Sequence, residues 1–404
     1  MSAAYHLGRY GHAVEIRDAG AQPGGMMRYG IPAYRMPRGV LSGELDRIAA
    51  LGVRMTCEHR VEDLAAERRE GRFDAVGAHL SKRVDIPAGD AGRIVDAVSF
   101  LRSVASGERP VIGRRVAIYG GGNTAMDAAR VARRMGAQEA LIVYRRTRAQ
   151  MPAHVEKAED AEWEGVRINW LRTITVFDGP ELRVELMELD ESGYPRPTGR
   201  FETLAADTVI LALGQESDTA VLRTVPGVQF EPDGTVIVSA SLMTGCPGVF
   251  AGGDMVPSER TVTVGVGHGK KAARHIDAWL RGAAATSRPK HDLAAFDMLN
   301  LWFFGDAARR QQPELAPEER VAGFGEVTGG LSVEEATYEA GRCLSVRQLH
   351  RVRRLPGCVP GGRGDQARGG GGAARRVAGW CAVDDVHRVA GPAADDPEHV
   401  QDRR

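Results

Sequence analysis

The sequence predicts an α/β fold made of Rossmann-like dinucleotide-binding units, and three stretches predict it. The first, Val116-Ala-Ile-Tyr-Gly-Gly-Gly-Asn-Thr-Ala-Met-Asp-Ala-Ala-Arg130, joins an apolar strand to a glycine turn and then to a helix. The second, Ala3 to Asp18, reads as a helix, a short strand and an acidic residue, which is the later half of a similar unit. The third, Gly248-Val-Phe-Ala-Gly-Gly-Asp254, is a short strand that runs into glycines and an aspartate ahead of a long helix, Thr261 to Trp279.

The elements follow in order. Ala3 to His12 reads as a helix ending near a glycine, and Ala13-Val-Glu-Ile-Arg17 as a strand. The glycines and prolines from Pro23 to Pro32 mark a loop, after which Pro37 to Gly52 reads as a helix leading to the strand Val53-Arg-Met-Thr56. Turns and a helix around Asp96 to Ser103 fill 74–110, and a complete dinucleotide unit occupies 114–150. Val155 to Trp163 is a charged amphipathic helix. The stretch 166–205 alternates apolar and polar residues, as antiparallel strands and hairpins do. A buried strand, Thr208 to Leu213, then ends at Gly214-Gln215. Beyond residue 345 arginine and glycine dominate, and this tail is expected to be disordered.

The chemistry is concentrated in the glycine turn. Gly120, Gly122 and Ala125 fill the G-x-G-x-x-G/A positions: the first permits a tight turn, the second lets backbone approach phosphate, and the small third residue lets helix pack on strand. The helix that begins with Asn123 and Thr124 offers its free N–H groups to an anion. About 20 residues on, an NAD site carries an acidic residue for the ribose 2′-hydroxyl. Here Tyr144-Arg145-Arg146 follows the strand Ala140 to Val143, and two arginines favour a 2′-phosphate, hence NADPH.

Composition narrows the rest. A chain of 404 residues can bury a large core, and 53 basic against 53 acidic residues create no overall field for nucleic acid or an anionic membrane. No apolar run reaches the ~18 to 20 residues that span a bilayer, and the N-terminus lacks the order of a signal peptide, so a cytoplasmic location is expected. Cys57, Cys246, Cys343, Cys358 and Cys381 are scattered without a C-x-x-C pair, which supports no disulphide framework, zinc site or other metal site.

Four stretches together resemble the small (beta) subunit of glutamate synthase and its NADPH-dependent flavoprotein relatives, which include the electron-input half of dihydropyrimidine dehydrogenase. They are Pro23-Gly-Gly-Met-Met-Arg-Tyr-Gly-Ile-Pro-Ala-Tyr-Arg-Met-Pro37, Gly120-Gly-Gly-Asn-Thr-Ala-Met-Asp127, Tyr144-Arg-Arg-Thr147 and Gly248 to Asp254, and the resemblance covers roughly residues 2–345. It implies two Rossmann-like domains, the NADPH domain inserted in an FAD domain. NADPH would pass a hydride to the flavin, and the electrons would leave singly through iron-sulfur clusters to a larger electron-accepting subunit such as the glutamate synthase large subunit. By the same resemblance Gly24 and Gly25 approach FAD and Asp18 binds its ribose. Gly253 and Asp254 then meet the ribityl chain, and the helix carrying Thr263 aims its N-terminus at the cofactor. Each residue alone also has a plain reading, as turn glycine, N-cap aspartate or solvated arginine. Hydride transfer to a flavin needs no acid or base, so no catalytic residue is assigned, and His268 is read as structural.

The expected division is 1–110, a partial FAD-binding domain whose first strand and glycine turn are missing; 111–212, the NADPH-binding domain; 213–285, the returning FAD part; 286–345, a helical extension; and 346–404, the tail. The FAD site is therefore expected to be compromised by truncation. After Gly341-Arg-Cys-Leu-Ser345 the relatives continue into a cysteine-rich segment. One permitted codon choice for Val346 to Pro360, read one base later, gives Cys-Gly-Asn-Cys-Ile-Glu-Cys-Asp-Gly-Cys-Leu-Gly-Val-Cys-Pro. That contains the C-x2-C-x2-C-x3-C-P run of cluster ligands, so a frameshifted tail is expected, with an iron-sulfur cluster only in the unshifted form or the partner. Two other readings are a non-catalytic NADPH-binding remnant without flavin, and an electron-input subunit for a different acceptor enzyme. A thioredoxin-reductase-like disulphide reductase would need a redox cysteine pair, which the sequence lacks.

Overall fold

A computed structural model describes residues 1–64, 72–82, 84, 86–87, 93–285 and 307–342. The frameshift reading and the tail 346–404 lie outside the described residues, as do Cys343, Cys358 and Cys381. The chain divides into one compact unit of 1–287 with 314–329, and a second of 288–313 with 330–404.

The first unit opens with α1 (Ser2–Arg9), β1 (Glu15–Arg17), α2 (Gly25–Tyr29), α3 (Arg38–Ala49), β2 (Arg54–Thr56), β3 (Arg72–Asp74) and β4 (Leu80–Ser81). It continues through β5 (Arg93–Asp96), α4 (Ala97–Ala105), β6 (Arg115–Tyr119), α5 (Asn123–Arg134), β7 (Glu139–Tyr144), α6 (Val155–Trp163) and β8 (Val166–Trp170). Then come β9 (Arg172–Asp178), β10 (Glu181–Leu189), β11 (Pro195–Ala205), β12 (Thr208–Leu211), β13 (Gln215–Glu216), α7 (Ala220–Arg223), β14 (Val249–Ala251), α8 (Val262–Leu280) and α9 (Pro317–Ala322). The described part of the second unit holds α10 (Val333–Gly341), where Ser332 and Glu335 form a reciprocal capping box.

Five parallel strands in the order β5-β12-β6-β7-β8 form the central sheet. Val116, Ala117 and Ile118 are wholly buried, as are Ile142 and Val143 beside them, which is what parallel strands covered on both faces require. One face packs against Ala125, Met126, Ala128 and Ala129 of α5 with Phe100 and Leu101 of α4. The other packs against Phe177, Leu182 and Val184 of the antiparallel sheet β11-β10-β9. Outside this sheet the strands pair in twos: β1 with β2, and β14 with β3, both parallel. Helix α1 crosses α8 closely because Gly269 has no side chain; a Cβ there would lie 2.6 Å from Ser2 Cβ. Leu7 packs there with Ala272, Ala273 and Ile276.

Three expectations change. The boundary at residue 111 moves back, because β5 and α4 belong to the central sheet; a ribbon of β4 against β13 marks where the chain enters and leaves it. Strand β8 is parallel to β7 and extends the central sheet, so the antiparallel meander begins only at β9. The stretch 286–345 is not one extension, since 314–329 packs with the first unit: Val327 joins the central core and its N–H donates to Tyr34 O at 3.0 Å.

Candidate functional site

The glycine turn sits at the carboxyl end of β6. Gly120 has φ +145°, and a Cβ there would lie 2.2 Å from Ala212 O, so no other residue fits. A Cβ on Gly121 would meet the Tyr144 ring at 2.5 Å, so the end of β7 lies directly against the turn. Gly122, the N-cap of α5, faces open space and supplies no side-chain cap. The first N–H groups of α5 therefore point outward from a cradle with room for a diphosphate. Ala125 is fully buried under the helix.

The other predicted residues around this turn are placed as follows. The Asn123 side-chain oxygen accepts from His154 N at 3.1 Å, and Ala153 N donates to Gly121 O at 3.2 Å, so the segment 151–154 lies along the turn. Thr124 Oγ1 accepts from Gln215 Nε2 at 3.4 Å. Arg145 is exposed at the end of β7. Arg146 is half-buried, and its Nε is buried without a partner. Burial raises the Tyr144 hydroxyl despite the nearby Arg146 and Arg145, and that hydroxyl donates to Gln150 O at 3.0 Å. Arg148, next along, is tied to Glu162 and Glu159. The open cradle, with exposed Arg145 and half-buried Arg146 just beyond the end of β7, fits a phosphorylated dinucleotide.

Around the β1–β2 and β14–β3 pairs, Asp18 closes a small turn, its Oδ1 accepting from Gly20 N at 2.8 Å. Gly24 (φ +134°) and Gly25 (φ +50°) bend the chain into α2, and a Cβ on Gly25 would meet nothing within 4 Å. Gly253 (φ +75°) is equally open, and its N–H donates to His268 Nδ1 at 3.1 Å, which fixes that ring as a neutral acceptor. Burial, and next Lys271, hold the His268 pKa below its ordinary value. Burial raises the half-buried Asp254 carboxyl against the pull of Arg260. Thr261 caps α8 by accepting from Val264 N at 3.2 Å, leaving Thr263 exposed in the first turn. Bare glycines at 25 and 253, with a desolvated aspartate and a helix start, suit a second nucleotide cofactor.

Residues that sequence reasoning left unassigned join these parts. A cavity of about 350 Å³ opens beside the β4–β13 ribbon, lined by Lys82, Gln215, Asp233 and Arg260, and Arg260 Nη1 donates to Gln215 O at 2.6 Å. Arg35 Nη1 reaches both oxygens of Asp127, at 3.0 and 2.8 Å. Arg130 donates to Asp160 at 3.1 Å and to Glu164 at 2.6 Å, Arg134 also pairs with Glu164, and Arg320 pairs with Asp160 and Glu314. Burial would raise the Glu164 carboxyl, but hydrogen bonds from Arg134 and Arg130 hold it below the usual range. Tyr34, Arg35 and Asp127 stood inside quoted motifs; their pairing across the fold had no local signal. Cys57 and Cys246 sit in separate places, the first half-buried and the second in the core around Leu222 and Val249. Among the described residues no group of His, Cys, Asp or Glu side chains is arranged for a metal ion, and no helix is long and apolar enough to cross a membrane.

A strand-turn-helix cradle on a five-stranded parallel sheet, entered and left through a two-stranded ribbon, is the geometry of a dinucleotide-binding α/β protein. The chain belongs to the pyridine nucleotide-disulphide oxidoreductase family, whose model matches residues 1–269. It is 37% identical over 372 residues to the NADP(+)-dependent formate dehydrogenase subunit beta of Moorella thermoacetica, covering 85% of this chain and 52% of that protein. It is 32% identical over 401 residues to the NADPH-Fe(3+) oxidoreductase subunit beta of Geobacter sulfurreducens, covering 85% and 59%. The chain thus spans little more than half the length of either relative. A putative glutamate synthase [NADPH] small chain of Cereibacter sphaeroides is 32% identical over 304 residues, covering 68% and 73%. Among solved structures, Mycobacterium tuberculosis FprA in complex with NADPH shares the fold with TM-score 0.58 and 18% identity, covering 71% of this chain and 84% of that one. A thioredoxin reductase of T. acidophilum shares it with TM-score 0.54 and 17% identity, covering 70% and 94%.

Proposed function

We propose that this chain is the NADPH-oxidising, FAD-bearing electron-input module of a larger electron-transfer assembly. The observation that carries the reading is the glycine cradle at Gly120–Gly122, where β6 ends and α5 begins, with Arg145 and Arg146 following the adjacent strand β7. NADPH bound there would supply a hydride to FAD, and the flavin would supply the means of releasing the two electrons one at a time. Gly122, Asn123 and Thr124 present the start of α5 to the diphosphate, Gly120 permits the turn and the buried Ala125 lets α5 pack on β6, and Arg145 and Arg146 take the 2′-phosphate. Gln215, hydrogen-bonded to Thr124, ties the turn to the ribbon. Asp18, Gly24, Gly25, Gly253, Asp254 and Thr263 hold FAD, with His268 keeping the Gly253 amide in place. These residues bind and orient; no side chain need move a proton.

The acceptor is a partner subunit. The glutamate synthase small-subunit type is one form of this reading, with the large subunit as acceptor. A different acceptor enzyme is the other form, on an equal footing: the formate dehydrogenase and Fe(3+) oxidoreductase beta subunits are 37% and 32% identical over 85% of this chain, and the glutamate synthase small chain 32% over 68%. A test follows directly. The purified chain should carry bound yellow flavin that bleaches when NADPH is added without oxygen, and NADH should bleach it much more slowly. A colourless protein that still binds NADPH saturably would instead be the flavin-free remnant. Failure to bind either coenzyme would remove the reading altogether.

A further inference from the structure

The proposed function leaves one feature of the first unit unused: an ion-paired junction between the segment after Gly24-Gly25 and helix α5. Asp127 lies in the second turn of α5, only 5% exposed, and Arg35 grips both of its oxygens. Lys157 of α6 adds its Nζ at 3.5 Å. One residue before Arg35, the Tyr34 ring is 1% exposed and belongs to the same core as Ala125, Met126 and Ala129. The Arg134 guanidinium lies 3.8 Å from the ring centroid and that of Arg130 at 4.9 Å.

The segment from Gly24 to Arg35 is itself braced. Arg28 Nε donates to Pro23 O at 2.7 Å, while Arg38 donates to Met27 O at 3.1 Å and to Ile31 O at 2.8 Å. Arg102 of α4 sits 5.1 Å from the Tyr29 ring centroid, a second tie to the central-sheet side. A displacement at Arg35 is therefore passed to Gly24 and Gly25. On the other side, Asp127 is five residues from Gly122, about 7.5 Å along the helix axis. A buried carboxylate held by two hydrogen bonds cannot slide past its partner by degrees. Parting them leaves the buried carboxylate with only the longer contact to Lys157 in a site with little water, so losing the two short bonds is costly.

We propose that Arg35 and Asp127 are positioning residues that lock the flavin-side glycines to the nicotinamide-side turn. In this arrangement the two cofactor sites meet without rotation of one module against the other. The inference rests on the proposed function for what the lock serves, but the lock itself exists or fails independently of any cofactor.

The test uses the 404-residue chain and the variants Arg35→Ala, Arg35→Lys, Asp127→Asn and the uncharged pair Arg35→Met with Asp127→Leu. Hydrogen exchange is first read without nucleotide. The lock predicts that Asp127→Asn and Arg35→Ala each accelerate exchange of the amides from Met26 to Ile31 at least tenfold, with Arg35→Lys intermediate. Unchanged exchange there would overturn it, and the double replacement supplies the reading if a single variant does not fold. Anaerobic flavin reduction at saturating NADPH is read second. The proposal predicts at least a tenfold slower reduction with NADPH affinity kept within twofold, and a double variant no slower than the slower single one. Looser exchange with an unchanged reduction rate would overturn the positioning role. Absence of NADPH binding in the unaltered protein would instead count against the proposed function, and exchange would still decide the lock.

Discussion

The two halves of the first unit are built differently. The coenzyme side has five parallel strands, three of them, β6, β7 and β12, lined with wholly buried residues, and an ionic network behind α5. The side proposed to hold flavin pairs its described strands only in twos, three residues each, with β1 and β2 largely half-buried. Two-stranded sheets of that length do not stand alone in water; the α1–α8 crossing through Gly269 holds them. The coenzyme side can thus keep its geometry from its own core, whereas the flavin side depends on what is packed and bound against it.

The strongest way to break this contrast is at Glu164, which neutralises both Arg130 and Arg134 in a dry site. Glu164→Gln leaves uncompensated buried charge and should cost about 3–5 kcal/mol in urea melts. If the loss is below about 1 kcal/mol, the network is not what distinguishes the coenzyme side.

Next is Gly120→Ala, which sets a 2.2 Å clash with Ala212 O on top of about 1–3 kcal/mol of backbone strain. NADPH titration should then show lost or greatly weakened binding while any bound flavin remains. Flavin loss with intact NADPH binding would reverse the assignment of the two sides.

A smaller effect is expected at Arg146. Arg146→Ala should lower NADPH affinity by about 1.5–3 kcal/mol, roughly 10- to 100-fold, with little change for NADH. Equal losses for both coenzymes would mean that the guanidinium does not read the 2′-phosphate.

The smallest effect sharpens the flavin side. His268 accepts the Gly253 amide and its pKa is lowered by burial, so the unfolded chain binds the proton more readily than the folded one. Its contribution is present above the ordinary histidine value and is lost as pH falls through the folded one. Urea melts between about pH 7.5 and pH 5.5 should show stability falling as pH falls. That decline should shrink in His268→Asn.

The fold class was legible because β6, its glycine turn and α5 are contiguous, and each glycine has a local steric reason. The boundary before β5 was not. Arg93–Asp96 is four residues long, and its partner β12 lies more than a hundred residues later. Strand β8 was misread for the same reason, since a partly buried strand at a sheet edge alternates like a hairpin strand. At the candidate site the turn residues announced themselves by spacing, whereas Arg35 met Asp127 across 92 positions with no periodic trace. Arg130 is 1% exposed yet looks in sequence like any solvated helix residue.

The β4–β13 ribbon has a consequence for how such chains diversify. Leu80–Ser81 and Gln215–Glu216 lie side by side, so everything between them is spliced in through one narrow gate. A different coenzyme reader could be exchanged there as a cassette without rerouting the host chain, provided the newcomer carries an acid where Asp127 can meet Arg35.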